Sequence, residues 1–434
     1  MRKSSLTIAV ALVLLTACTS TNNIPATTGS SSKSSVDTDF VVDGRYIDLS
    51  DAPLGSTDAR PAGAVKFFIK GLVYSPVPIG TTVGDPPILD DALRDANRPI
   101  WSRDLPLMRA AGANAIHVYN VVPPPYDEKT GPISQFLDAA WNNNKKPVYV
   151  LMSIYFHGDK LLDNGAVQAL AKQYHDLDQK YAKYPAVLGV TISNEIADAN
   201  FLQNPTWWAN FNIVAKAAKQ GFVDGGDGDK IVTTSEPDGN IGAVKAGEKY
   251  NAAVDVWGIN IYRGRTFTNL FDQIRQYTKK PVIFTEYGAS AAYHPAWKNT
   301  YDWRNGKNQL GGCQPGERDG PKDRIVAELP KSGNPGMDGL VDLVWNNGRL
   351  LADGFNDSGV VSGGFYFEWT DEWWKGGNAN VQQGNDAFNG GFPGCSEDQA
   401  WYGVNAVSKG NGTNDILTPR PTLGQLTQSW STAP

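Results

Sequence analysis

Val187-Leu188-Gly189-Val190-Thr191-Ile192-Ser193-Asn194-Glu195 and Pro281-Val282-Ile283-Phe284-Thr285-Glu286-Tyr287-Gly288 are the two stretches that decide how this chain folds. Each is a short apolar, β-branched run that ends in a carboxylate. Such a run predicts a strand buried on both faces, the kind found in parallel sheets. A glutamate placed directly after it is costly to bury unless it is paired or used. Taken singly, each glutamate reads as a solvated strand end or as half of a structural ion pair.

The same pattern recurs along the chain. Strands are expected at Val65 to Tyr74, Ala115 to Val121, Pro147 to Phe156, Val187 to Asn194, Lys230 to Ser235, Val254 to Tyr262, Pro281 to Tyr287 and Gly363 to Trp369. Amphipathic stretches lie between them, at Asp104 to Ala111, Ser134 to Asn142, Ala166 to Tyr184, Trp207 to Gln220, Phe267 to Tyr277 and Gly339 to Leu351. Strands alternating with helices predict an α/β fold with a parallel sheet, and eight units predict a closed (β/α)8 TIM barrel in one domain. Pro421 to Trp430 reads as the closing helix, with proline near its start, where a missing N–H is harmless. An open doubly wound sheet is the alternative, but no Gly-rich phosphate loop follows the first strand.

In a barrel the reacting groups lie where strands run into the following loops. Strands four and seven stand across the pore, so Glu195 and Glu286 can converge on one bound sugar. Two carboxyl groups roughly 5 Å apart suit glycoside cleavage with retention of configuration. Asn194-Glu195 after strand four and Glu286 after strand seven resemble the marks of the clan A retaining (β/α)8 glycosidases, over a span from about Val65 to Trp430. That resemblance implies that Glu195 is the acid/base, that Glu286 is the nucleophile, and that Asn194 bonds the sugar 2-hydroxyl. It also implies that Tyr262 lies close to the nucleophile. Within the clan, Phe67-Phe68-Ile69-Lys70-Gly71-Leu72-Val73-Tyr74, Asn114-Ala115-Ile116-His117-Val118-Tyr119 and Phe284-Thr285-Glu286-Tyr287-Gly288 are similar to β-1,3-glucanosyltransferase-like and family-two-like barrels. One departure stands out: His117 occupies the place where such relatives carry an arginine that bonds the nucleophile, and a neutral imidazole does so more weakly.

Other strand ends suit a sugar. Tyr119 and Asn120 end the second strand, His157 follows the third, and Trp369 is the first choice for an aromatic stacking platform, weighed against ordinary barrel-end packing. Of the four histidines, His117, His157 and His294 fall at or after strands and His175 belongs to a helix. No His-x-x-x-His or Glu-x-x-His spacing occurs, so sugar hydrogen bonding is the reading, with no metal or cofactor expected. Asp224, Asp227 and Asp229 lack the length and terminal glutamate of a calcium loop and read as a helix-to-strand turn.

A net charge of −6 gives no electrostatic reason to bind nucleic acid; a neutral β-glucan or other polysaccharide fits better. Met1 to Cys18 carries Arg2 and Lys3, an apolar run from Leu6 to Leu15, and small residues before the cysteine, which resembles a bacterial lipoprotein signal. Residues 1–17 are therefore expected to be removed, and Cys18 to be lipidated and to hold the protein on a membrane of the cell envelope. Residues 18–39 read as a flexible Ser/Thr/Asn tether, and residues 40–434 as the barrel, with Gly-rich insertions around 298–335 and 375–415. Cys313 and Cys395 then remain as a pair that an oxidising compartment would bond. Function is expected to be hydrolysis or transglycosylation of a β-linked glucan or exopolysaccharide. The alternative is a lipid-anchored carbohydrate-binding barrel without catalysis.

Overall fold

The computed structural model describes residues 36–53, 65–81, 83, 93–125, 131–263, 267–289, 291–293, 301–302, 307–308, 326–327, 335–356, 359–376, 379–380, 382, 399–410 and 414–434. Cys18, Cys313, Cys395 and His294 lie outside them, as do most of the two Gly-rich insertions.

Eight parallel strands form the barrel: β1 (Ile69–Val73), β2 (Ala115–His117), β3 (Tyr149–Ser153), β4 (Val187–Thr191), β5 (Ile231–Thr233), β6 (Trp257–Ile261), β7 (Val282–Tyr287) and β8 (Gly363–Tyr366). Each pairs with its sequence neighbour from β1 to β5 and from β6 to β8, and β8 pairs with β1. The remaining seam, between β5 and β6, is closed by Glu236–Pro237, which continues from β5 and pairs in parallel with β6, Glu236 opposite Ile259. Nearly every residue of these strands is buried, as expected for strands covered by side chains inside and helices outside.

Close approach at the seam requires glycine. A Cβ on Gly258 of β6 would lie 1.8 Å from the carbonyl oxygen of Thr234 and 2.8 Å from Thr285 Cγ2. Gly258→Ala is therefore expected to destabilise the fold by about 3 kcal/mol through overpacking, read as a lower urea midpoint. An unchanged midpoint would show that the seam is looser than its geometry implies.

The connecting helices are α1 (Arg98–Ala110), α2 (Ser134–Trp141), α3 (Asn164–Tyr181), α4 (Pro205–Gly225), α5 (Gly242–Lys249), α6 (Leu270–Tyr277), α7 (Pro335–Asn356) and α8 (Pro421–Thr432). Their ends follow local chemistry. Asn204 caps α4 by accepting from the N–H groups of Thr206 and Trp207, Pro205 occupies the first turn, and Gly226 ends the helix in the left-handed region. Asp163 caps α3 through the Ala166 N–H. Helix α6 starts at Leu270, later than the sequence pattern implies, because Phe267 and Thr268 take positive φ. Helix α5, with glycines at 242 and 247, was not expected from the pattern at all.

Two further differences come from the N-terminal side. An antiparallel hairpin, Val36–Asp43 with Tyr46–Pro53, begins inside the stretch read as tether. It turns at Gly44, whose φ of +62 suits glycine although no neighbour crowds the position. The run from Val65 to Tyr74 is also broken in two: Val65–Lys66 joins the hairpin, and β1 starts at Ile69. Phe40 of the hairpin packs edge-on against Phe67 and Tyr149, at 5.5 and 5.0 Å between centroids, and so covers the end of the barrel where the strands begin. The opposite end is free for loops.

Candidate active site

Glu195 follows β4 and Glu286 sits near the end of β7, both at the loop-bearing end of the barrel. The backbone that presents Glu195 is held in an uncommon shape, with Ser193 at φ 57 and Glu195 at φ 53. Left-handed conformations at non-glycine residues cost about 1–3 kcal/mol each and persist only where the surroundings determine them. Here they do. The Ser193 N–H donates to Tyr174 Oη at 2.9 Å, Ser193 Oγ donates to the Phe156 carbonyl at 2.8 Å, and the Glu195 N–H donates to the Ser235 carbonyl at 2.7 Å.

A polar net fixes the two side chains of Asn194-Glu195. Asn260 of β6 donates from Nδ2 to Glu195 Oε1 and to Asn194 Oδ1, both at 3.1 Å. Asn260 Oδ1 accepts from Thr285 Oγ1 at 2.8 Å, and Ser235 Oγ lies 2.6 Å from Asn194 Oδ1 and 3.0 Å from Asn260 Oδ1. With Asn194 Oδ1 engaged, the hydrogen-bonding capacity this amide has left is its two N–H donors. Glu195 itself is exposed.

Glu286 is placed differently. It is buried, 7% exposed, and each carboxyl oxygen accepts one phenol: Tyr119 Oη donates to Oε1 at 2.6 Å and Tyr262 Oη donates to Oε2 at 2.7 Å. Burial raises its pKa to about 7; the charge of Glu195 raises it further, while the Tyr119 and Tyr262 hydrogen bonds and the charge of Lys375 pull it down. The two carboxyl groups therefore sense one another across the barrel. Burial, and then Glu286, push both tyrosine hydroxyls well above the usual phenol range, so they remain donors at any working pH.

Two expected sugar contacts are corrected. His117 is completely buried, one layer below Tyr119, and its Nδ1 faces the Thr285 carbonyl at 3.3 Å rather than Glu286. Burial lowers its pKa to about 4, so it is a neutral interior group that supports β7 from below. Tyr119 makes the bond to Glu286 in its stead. Trp369 is also completely buried, and its backbone joins β1 and the Asn405 segment, so its faces are closed to a sugar ring. The aromatic surface at this rim is instead Tyr262, 40% exposed, backed by Phe367 and Tyr402 at 6.5 and 6.0 Å. His157 is exposed on the same rim after β3, with its ring edge-on to Tyr155 at 5.4 Å.

Several neighbours of these side chains are not evident from the sequence. Ser235, Asn260 and Thr285 form the net under Asn194-Glu195; the available signal was a polar residue inside an apolar run, as in Gly258-Ile259-Asn260-Ile261. Glu368 and Glu372, both buried after β8, flank Ser75 Oγ at 3.1 and 3.0 Å. Burial and the charge of Glu372 push the Glu368 pKa well up, and Lys375 Nζ lies 3.6 Å from Glu372. Among the described residues no group of His, Cys, Asp and Glu is arranged to hold a metal ion.

No protein-family profile and no curated protein sequence matches the chain. Solved structures do. A GH2 β-galacturonidase from Eisenbergiella tayi bound to glycerol superposes with a TM-score of 0.53 at 14% identity, covering 92% of this chain and 54% of the other. Saccharomyces cerevisiae Gas2p in complex with laminaritriose and laminaritetraose gives 0.54 at 16% identity, over 92% and 69%. A β-D-glucuronidase from Dictyoglomus thermophilum gives 0.52 at 15% identity, over 92% and 54%. The chain thus spans about half the length of the galacturonidase and the glucuronidase. It shares the (β/α)8 barrel fold of these glycoside hydrolases.

Proposed function

We propose that this protein is a retaining glycoside hydrolase or transglycosylase that acts on a β-linked glucan or related polysaccharide. The observation that carries the reading is Glu286, a buried carboxylate held by two phenols and coupled to the charge of Glu195. A purely structural carboxylate at a strand end needs neither a paired cradle nor a second glutamate opposite.

In the first step a Glu286 oxygen attacks the anomeric carbon while Glu195 gives its proton to the departing glycosidic oxygen. In the second, Glu195 takes a proton from water or from an acceptor hydroxyl, which displaces Glu286 from the sugar. Attack requires Glu286 ionised. Burial opposes this, so the Tyr119 and Tyr262 bonds, which favour the charged form, are part of the catalytic apparatus. Protonation of Glu195 removes a like charge and helps in the same direction. Asn194, with its two N–H donors available, is suited to the hydroxyl next to the anomeric carbon. The exposed ring of Tyr262 offers a face for the sugar.

Tyr119→Phe and Tyr262→Phe each remove a bond that stabilises the Glu286 carboxylate. The acid limb of kcat/KM is expected to move to higher pH in both, with activity at pH 6 reduced about tenfold or more. Limbs that stay in place in both variants would remove the tyrosines from this role. The reading as a whole is tested by incubating a soluble form that starts after Cys18 with a panel of β-glucans and separating the products by thin-layer chromatography. Shorter chains indicate hydrolysis, and longer chains transfer. Binding without any product would favour a non-catalytic carbohydrate-binding barrel. The signal-like start and Cys18 support a lipid-anchored place in the cell envelope.

A further inference from the structure

Glu236 lies in the two-residue strand that closes the barrel between β5 and β6, and its side chain is completely buried. Its Oε2 accepts the Ala197 N–H at 2.8 Å, and the Ile196 N–H also faces the carboxyl. These are the two residues that follow Glu195. Its other oxygen, Oε1, is buried with no hydrogen-bond partner among the described residues. From the other side the same loop is pinned by Gly158, where a Cβ would stand 2.3 Å from the Ile196 carbonyl oxygen, and the Gly158 carbonyl is in turn held by Trp207 Nε1 at 2.8 Å.

Resting on the reading that Glu195 is the acid/base, we propose that Glu236 is a positioning residue whose carboxyl grips the Ile196 and Ala197 amides and so aims Glu195 at the glycosidic oxygen. A neutral acceptor could hold this turn, whereas a carboxyl in its place can also take on a charge, which burial makes costly. Its placement ties the acid/base loop to the strand that closes the barrel between β5 and β6. The charged group that its carboxyl senses is Glu195. Burial, opposed by the Ala197 amide and assisted by the Glu195 charge, raises the Glu236 pKa to about 8. Near neutrality Glu236 is therefore protonated and glutamine is a close substitute; at higher pH a negative charge appears beneath Glu195 that glutamine cannot supply.

The test compares Glu236→Ala, Glu236→Gln and Glu195→Gln in the full barrel, with two readouts. The first is hydrogen exchange of the Ile196 and Ala197 amides without substrate: faster exchange is expected in Glu236→Ala and protection close to wild type in Glu236→Gln at pH 7. Unchanged exchange in Glu236→Ala overturns the proposal whatever the protein catalyses. The second uses a β-1,3-glucan oligosaccharide, whose leaving sugar needs a proton, beside 2,4-dinitrophenyl β-glucoside, whose leaving group does not. Glu236→Ala is expected to lose about 10–100-fold on the oligosaccharide and little on the dinitrophenyl substrate, with glutamine restoring the difference at pH 7 and diverging from wild type above pH 8. Equal losses on both substrates would make Glu236 merely structural and overturn the proposal. Glu195→Gln separates the two levels: if it fails to show the same split, the acid/base reading falls; if it shows the split and Glu236→Ala does not, the positioning role alone falls.

Discussion

Glu286→Gln is expected to lower turnover of a β-glucan substrate by about 10⁴-fold or more, because the amide cannot attack the anomeric carbon. The fold should survive, since glutamine keeps the size of the side chain and can still accept from one tyrosine. Glu195→Gln is expected to lose about 10²–10⁴-fold, the usual worth of a positioned proton donor. The two variants are distinguished by azide. With Glu195 disabled, azide needs no general base and should trap the glycosyl-enzyme as a β-glycosyl azide. An α-azide would place the nucleophile at 195 instead. Near-normal product formation by both variants would remove this pair from the chemistry.

The second large effect is on stability. Arg420, at the start of α8, forms a two-pronged ion pair with Asp371, Nη1 to Oδ1 at 2.6 Å and Nη2 to Oδ2 at 2.8 Å. Both side chains are essentially buried, 1% and 0% exposed. Arg420 also donates to the Gly403 carbonyl, and Asp371 accepts from the Gly403 N–H at 3.1 Å and from Gln382 Nε2 at 2.8 Å. Removing one partner leaves the other charge buried without a counter-ion, which typically costs about 3–5 kcal/mol. Arg420→Met should therefore lower the urea midpoint by a corresponding amount, whereas the double variant Arg420→Met with Asp371→Leu should recover much of the loss. The consequence reaches the site, because Asp371 belongs to the segment after β8 that carries Glu368, Glu372 and Lys375. A loss below about 1 kcal/mol in the single variant would show that this segment holds its shape without the pair.

Much of this architecture is legible in the order of residues. The apolar runs at Val187 and Val282 give strands because such runs can only be buried, and the glutamates that end them mark where the chain leaves the barrel. Tyr119 and the two glutamates stand out by their places at strand ends, Asn194 and Tyr262 follow from the clan resemblance, and the fold links Tyr119 and Tyr262 to Glu286 and Asn194 and Glu195 to Asn260. Where prediction failed, it failed on depth. His117 and Trp369 stand at strand ends too, yet both are completely buried, because the sequence locates a residue along a strand and not its layer within the barrel. The helix α5 was missed for a related reason: its two glycines argue against a helix locally, and packing in the ring of helices overrides them.

What the sequence determined by itself was the alternation of strands and helices, hence the barrel, and the identity of the carboxylates at its rim. Local hydrophobic period and the cost of an unused buried charge suffice for that. The tertiary structure alone decided how those carboxylates are tuned: two phenols on Glu286, the Asn260 and Ser235 net on Asn194-Glu195, and Glu236 beneath the next two amides. Those partners lie 24 to 167 positions apart along the chain. A pKa depends on burial and on charges a few ångströms away, and only barrel closure brings such distant residues that close.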